Sequence, residues 1–293
     1  MEHSHKICEA CGSKQFKKYL STADHFLSGE SFELLMCINC ELLKTNPLPD
    51  NLSDYYKSSN YVSHSENRNG LINKLYFLIR ELNFKIKHSL ISKYKSSGNV
   101  LDYGSGSGEF VKYLNSKNFT ALGYEPNEEV RLVANKNKDV KILGESDLEN
   151  LSIKQDIITL WHVLEHVPNP AEVLSFLFNL AAEDGILIIA VPNYKSFDAA
   201  YYKQYWAGYD VPRHLFHYSS TSISSLTEKT GWKLINTKGM IFDSFYVSML
   251  SEKYNKRFVV FGLFIGLLSN VLAFLNKKNY SSKMYIYVKN TAA

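Results

Sequence analysis

The chain has 293 residues, 45% of them hydrophobic, and carries a formal net charge of +4. That length can bury one large core or two smaller ones, and so mild a charge gives no strong case for nucleic acid as an obligate partner. No apolar run precedes residue 30, so no secretory leader is expected and the expected location is cytoplasmic.

Four cysteines open the chain as two C-x-x-C pairs, Cys8 with Cys11 and Cys37 with Cys40. Two such knuckles place four thiolates around one zinc, and no other cysteine competes for pairing. Four thiolates leave no open coordination position, so the expected metal is structural. Residues 1–50 therefore read as a zinc ribbon of short strands closed by Asn46-Pro47-Leu48-Pro49. A polar connector bearing Tyr55, Tyr56 and Tyr61 follows. Apolar positions 71, 75, 78, 79, 82, 86 and 90 then predict a helix, completing a linking region over 51–97. Lys74, Arg80, Lys85, Lys87, Lys93 and Lys95 face a single acid, Glu81. Such a helix suits the flank of a sheet, and also a membrane or an RNA.

From residue 98 strand and helix patterns alternate, as in a doubly wound parallel α/β sheet. Strands are expected at 99–103, 119–124, 140–143, 156–161, 185–191, 232–239 and 283–289. Helices are expected at 107–117, 127–137, 170–182 and 219–230. The first strand runs into Val100-Leu101-Asp102-Tyr103-Gly104-Ser105-Gly106-Ser107-Gly108-Glu109. Strand, glycine turn and helix bring bare backbone and a helix N-terminus against a ligand. The dinucleotide fingerprint is G-x-G-x-x-G, whereas Gly104, Gly106 and Gly108 spell G-x-G-x-G, and Glu109 suits a pyrophosphate poorly.

The second strand leads into Gly123-Tyr124-Glu125-Pro126-Asn127. Glu125 stands 23 residues beyond Asp102, where open α/β folds place an acid on ribose hydroxyls. The alternative is a helix-entry residue favoured by the dipole. The third strand ends in a polar loop containing Ser146 and Asp147. The fourth ends near Trp161, over the expected ligand crevice, and continues as His162-Val163-Leu164-Glu165-His166-Val167-Pro168-Asn169-Pro170. His166 suits a general base, since histidine titrates near neutrality. The bland alternative is that Glu165-His166 only shapes the turn before Pro168.

After the fifth strand comes an insert rich in rings: Tyr194, Phe197, Tyr201, Tyr202, Tyr205, Trp206 and Tyr209. Aromatic walls suit a planar or sugar-like acceptor. The insert ends in Asp210-Val211-Pro212-Arg213-His214-Leu215, where Arg213 can pair internally with Asp210 and His214 is a second candidate base. Finally, residues 258–275 hold only Ser269 and Asn270 as polar residues. Lys253, Lys256 and Arg257 precede the segment, and Lys277 and Lys278 follow it. It suits peripheral contact with an anionic membrane surface, a lid over the acceptor pocket, or a dimer interface.

Glycine run, spaced Glu125, L-E-H-V-x-N-P and P-R-H-L stand in the order of one family. The chain resembles the class I S-adenosylmethionine (SAM) methyltransferases over about residues 70–290, in the branch of the ubiquinone-biosynthesis O-methyltransferases. Its cysteine knuckles resemble the zinc-binding domains fused to some sugar C-methyltransferases. The resemblance implies a Rossmann-like sheet of seven mostly parallel strands over 98–293, with 258–275 as a hydrophobic helical insert. It implies SAM held by Asp102, Gly104, Gly106, Gly108, Glu125, Pro126, Ser146, Asp147 and Trp161, the 144–148 loop meeting the adenine. Catalysis is expected of His166, with Glu165 orienting its imidazole and His214 nearby. Some relatives hold a divalent metal with an acid, a Glu and a His, matched here by His162, Glu165 and His166; the histidine at 162 departs from that pattern. The implied reaction moves a methyl group to a hydroxyl or carbon of a small-molecule, glycan or lipid-linked acceptor. Rival readings are an RNA methyltransferase gripping RNA through the ribbon, and a SAM-binding module without turnover.

Overall fold

A computed structural model describes residues 7–56, 71–275 and 279–290, with side chains from Leu78 onward in the first long helix. Tyr61, Lys277, Lys278 and the side chain of Lys74 lie outside the described residues. Two compact units divide the chain. The first comprises Met1–Ser58, His162–Ser175 and Ile189–Ala293; the second comprises Ser59–Trp161 and Phe176–Ile188.

The architecture is the expected α/β fold. Seven strands form a mostly parallel sheet: β4 (Gly98–Tyr103), β5 (Phe119–Tyr124), β6 (Ile142–Leu143), β7 (Gln155–Trp161), β8 (Ala181–Pro192), β10 (Trp232–Met240) and β11 (Ser282–Lys289). Their order is β10-β11-β8-β7-β4-β5-β6. In the second unit β4 pairs in parallel with both β5 and β7, so the C-terminal ends of these strands, where chemistry gathers, point the same way. The register sets Asp102 beside Gly123 and Thr159, and Tyr103 beside Tyr124. The helices of this unit are α1 (Leu71–Ile91), α2 (Glu109–Asn115), α3 (Glu128–Ala134) and α4 (Glu145–Glu149), while α5 (Pro170–Leu180) precedes β8. Strand interiors such as Val100, Leu101, Ile157, Ile158 and Leu160 are fully buried, as a sheet covered on both faces requires.

In the first unit a second sheet, β1 (Phe16–Ala23), β2 (Ser31–Cys37) and β3 (Leu43–Asn46), forms the ribbon. Its fourth strand is β9 (Phe216–His217), which pairs Leu43 with His217 and Lys44 with Phe216. The residues straight after P-R-H-L are thus knitted into the ribbon, a pairing that no local pattern signals. Around it Phe32, Leu34 and Leu43 pack with Tyr194, Tyr202, Trp206, Tyr209 and Val211 in one cluster. Much of the aromatic insert is therefore core, with α6 (Phe197–Tyr202) at its start.

The remaining elements of this unit are α7 (Ser220–Lys229) and the helices α8 (Ile241–Tyr254) and α9 (Phe261–Leu275) between β10 and β11. Within the hydrophobic segment 258–275 the helix spans Phe261–Leu275, and α8 is an addition. Among the described residues no helix is long and apolar enough to cross a membrane.

Candidate active site

The glycine turn belongs to the second unit. Gly104, Gly106 and Gly108 have φ of 78°, 54° and 74°, conformations that L side chains rarely adopt, so the alternating glycines are what lets β4 fold back into α2. A Cβ on Gly108 would lie 2.9 Å from Ile142 Cδ1, and one on Gly123 would collide with the Ser105 hydroxyl. At Gly106, by contrast, a Cβ would meet nothing within 4 Å. The backbone there faces open space.

Glu125 spans the mouth of this turn. Its Oε2 accepts from the Gly106 amide at 3.0 Å and its Oε1 from the Asn127 amide at 3.0 Å. Pro126 follows at the entry to α3, its carbonyl 3.4 Å from Arg131 Nη1. Asp147 caps α4 by accepting from the Gly144 amide at 3.2 Å, and Ser146 is exposed in the same turn. Asp102 is buried and accepts from the Thr159 hydroxyl at 2.6 Å. Burial pushes its carboxyl up to about 6, against the opposing pull of that hydroxyl and of Lys87. At the end of β7, the Trp161 ring meets Phe110 edge-on at 6.0 Å, with the Lys87 ammonium 4.3 Å from its centroid. Its Nε1–H is buried with no partner among the described residues. An orphaned donor, a fork of carboxylate oxygens and uncovered glycine backbone are what a nucleoside-bearing ligand would satisfy.

The four cysteines of the first unit converge as the spacing requires. Cys8 and Cys40 sulfurs lie 3.4 Å apart, Cys11 and Cys37 sulfurs 3.5 Å, and all four lie within 4.8 Å of one another. A tetrahedral zinc with bonds of about 2.3 Å separates its sulfurs by roughly 3.8 Å. Both knuckles also turn alike: the residue after each pair, Gly12 and Glu41, is left-handed at φ 76° and 64°. The residues fit structural zinc.

Also in the first unit, a second cluster gathers around the L-E-H-V element. His162 has φ 57° and donates through Nε2 to Asp243 at 2.9 Å and through Nδ1 to Glu165 at 3.3 Å. Burial alone would lower this imidazole, but the two carboxylates overcome it and hold the group up to about 10. Donating both N–H groups leaves His162 no lone pair, so it does not fit the divalent-metal set that the resemblance implied. Glu165 is buried yet held below the usual carboxylate range: its desolvation is outweighed by His162, with His214 and His166 adding to the pull.

His166 is oriented by a different group from the one expected. Its Nδ1–H donates to the Arg213 carbonyl at 3.0 Å, with the Tyr56 hydroxyl 3.1 Å from the same nitrogen, and Nε2 keeps the lone pair. Its ring meets that of His214 at 4.6 Å. His214 Nδ1–H donates to the Gly208 carbonyl at 3.0 Å, and burial, with His166 adding to it, holds this imidazole well below its ordinary value. One donor atom each of Glu165, His166 and His214 falls within a 4.8 Å group.

Arg213 supplies the orienting carbonyl, and its side chain is clamped. Nη2 donates to Asp24 at 2.8 Å and to Asp210 at 2.7 Å, while Nε reaches both Asp210 oxygens at 3.0 and 3.1 Å. Asp24 directly follows β1 of the ribbon, so the ribbon and the His166 cluster share one latch. Tyr56, Asp243 and Asp24 were not foreseen; each lies more than 75 residues from its partner, and no local pattern points to it.

Residues 76–237 match a family described as a methyltransferase domain. A ubiquinone biosynthesis O-methyltransferase of Glaesserella parasuis serovar 5 (strain SH0165) is 33% identical over 106 residues, which is 32% of this chain and 45% of that protein. The chain thus spans less than half the length of this curated relative. Among solved structures, the magnesium protoporphyrin IX methyltransferase of Synechocystis PCC 6803, with SAH bound, is similar at a TM-score of 0.53 and 15% identity. That likeness covers 80% of this chain and 97% of the other, and it shows a shared fold.

Proposed function

The chain belongs to the family of methyltransferase domains, and on that footing we propose that it moves a methyl group from SAM to a hydroxyl of a small acceptor. The observation that carries the reading is the glycine turn with Glu125 hydrogen-bonded across it, uncovered at Gly106. Glu125 would accept the ribose hydroxyls, Asp147 and Ser146 would meet the adenine, and the Trp161 N–H would give its unsatisfied hydrogen bond to the cofactor. When bound, SAM supplies a sulfonium-borne methyl, an electrophile that needs no activation. Asp102 underpins the turn from beneath.

The acceptor's proton is then the protein's task. His166 takes it on Nε2, because the Arg213 carbonyl keeps the ring's own proton on Nδ1. The imidazolium so formed is offset by Glu165, whose depressed pKa already reflects the pull of His166 and His214. His214, held neutral by burial, offers a second uncharged edge. His162 serves as the fixed cation that keeps Glu165 ionised. An enolisable carbon, or the hydroxyl of a glycan or lipid-linked acceptor, would be served by the same base.

Methyl-labelled SAM incubated with the protein and fractionated cell extract tests this. We expect label in a small or lipid-linked product. His166→Gln should cut transfer by about 100-fold, the usual contribution of a positioned base, while leaving SAM affinity intact. Glu125→Ala should weaken SAM binding itself, read by calorimetry. Full activity of His166→Gln would overturn the base assignment, and label confined to RNA would overturn the acceptor class.

A further inference from the structure

The α8–α9 hairpin has its polarity turned inside out. The residues α9 buries are Gly262, Ile265, Gly266, Ser269, Asn270 and Ala273, mostly small or polar. Facing them on α8, Ser244, Ser248 and Ser251 are buried at i, i+4 and i+7. A Cβ on Gly262 would run into the Met249 backbone, and one on Gly266 would come within 2.8 Å of Phe245 Cα, so the two helices touch where glycine stands. Ser269 donates to Asp198 at 2.7 Å, and Asn270 Nδ2 donates to the Ile241 carbonyl at 2.9 Å and the Ser244 hydroxyl at 2.8 Å.

The bulky apolar side chains point the other way. Val260, Phe264, Leu267, Val271 and Phe274 recur at alternating spacings of four and three, all exposed, with Phe258, Phe261 and Leu275 alongside. Phe258 is 80% exposed, Val260 74% and Phe274 72%. A helix packed in water turns its apolar stripe inward; small and polar residues inward with bulky ones outward is how helices pair in lipid.

Geometry excludes a crossing. The 15 residues of α9 span about 22 Å, short of the roughly 30 Å hydrocarbon core. Met240 pairs with Ser282, so the chain leaves the sheet and returns to it at the same strand ends. A hairpin of this geometry that meets lipid can only lie along its surface.

Charge says which surface. Lys253, Lys256 and Arg257 are exposed at one end of the stripe, and no acid occurs between residues 253 and 275. Lys256 and Arg257 line a cleft of about 480 Å³ whose other walls are Phe258, Phe261, Tyr201 and Glu252. The Glu252 carboxylate is buried and accepts from the Tyr202 hydroxyl at 2.9 Å, leaving the two cations to dominate the rim. Cations beside an apolar wall match an anionic phospholipid, whose phosphate sits beside its acyl chain.

We propose that the 241–275 hairpin seats the protein on an anionic phospholipid surface, with the Val260–Phe274 stripe among the acyl chains and Lys253, Lys256 and Arg257 on headgroup phosphates. This docking is independent of the methyl-transfer reading. The test is flotation of the full-length, zinc-loaded protein with vesicles of phosphatidylcholine alone or mixed with phosphatidylglycerol.

The protein should float with the anionic vesicles, and less so as salt rises. Replacing the three cations (Lys253→Gln, Lys256→Gln, Arg257→Gln) should weaken association by about fivefold per charge removed. Val260→Ser with Phe264→Ser and Phe274→Ser should abolish it, with zinc content and melting temperature unchanged because these side chains are outside the core. Wild type left unbound by both vesicles would overturn the proposal, as would binding that survives the triple serine variant. A dimer that this variant splits, in a protein that ignores vesicles, would assign the face to a second copy of the chain.

Discussion

Two carboxylates lie almost equally deep, Asp102 in the second unit and Glu165 in the first, at 4% and 1% exposure. Burial pushes one up to about 6, while the other stays below the usual range. Depth is therefore not what decides. Asp102 accepts from one hydroxyl, that of Thr159, and feels the Lys87 cation only through space, whereas Glu165 has the His162 imidazolium hydrogen-bonded to one oxygen. A neutral donor does not repay the desolvation of a charge; a cation hydrogen-bonded to it does. The first arrangement suits an acid kept under strain beside the proposed cofactor site, and the second a permanent negative charge beside the proposed base.

The largest test of that contrast removes the cation. His162→Ala leaves Glu165 ionised in a dry site with no partner, and we expect it to cost about 3–5 kcal/mol in chemical denaturation at pH 7. Glu165→Gln in the same background should recover most of the loss, since an amide tolerates burial better than an unpaired charge. A loss below about 1 kcal/mol would show that His162 is not what keeps Glu165 charged. The pair also has a pH window. His162 is raised, so its contribution is whole below its ordinary value of 6.5 and fades as pH climbs toward about 10. Glu165 is lowered, so its share fades as pH falls below 4.5.

How much of each region could be read from the chain follows from the same contrast. The glycine turn, Glu125 and the cysteine knuckles are runs or fixed spacings, because backbone conformation and metal geometry are local demands. The strands of the sheet were legible for that reason too. The histidine cluster is assembled from Tyr56, His162, Glu165, His166, Arg213, His214 and Asp243, and its charges are set by partners rather than by neighbours in sequence. Thus Glu165 reads as the residue that orients His166, yet it serves His162, and the Arg213 carbonyl takes the orienting role. The aromatic insert reads as pocket wall, yet Tyr202, Trp206 and Tyr209 are core against the ribbon. Ring content specifies burial without saying against what.

A smaller effect of opposite sign is expected at the other carboxylate. Asp102→Asn removes a charge that folding must desolvate. In the folded protein Asp102 holds its proton up to about 6, against an ordinary 3.8, so its presence makes stability fall as pH rises between these values. The amide should therefore stabilise the protein by up to about 3 kcal/mol at pH 8 and by nothing near pH 3. Denaturation midpoints at the two pH values check this. SAM affinity should fall in the same variant, since strain released at a ligand site is function lost.

The smallest expected change is at Gly106, and it separates a strained turn from a ligand seat. Both Gly106 and Gly108 are left-handed, so alanine at either costs roughly 1–2 kcal/mol in backbone energy. At Gly108 the new methyl also meets Ile142 at 2.9 Å; at Gly106 it meets nothing. Gly106→Ala should thus be the milder variant by thermal melting. If the open space is where SAM lies, the order reverses in calorimetry: Gly106→Ala should lose at least tenfold in affinity, about 1.4 kcal/mol, although the variant remains folded. Equal affinity for the wild type and Gly106→Ala would mean that the uncovered backbone is only an exposed turn, and the case for the cofactor would then rest on Glu125 alone.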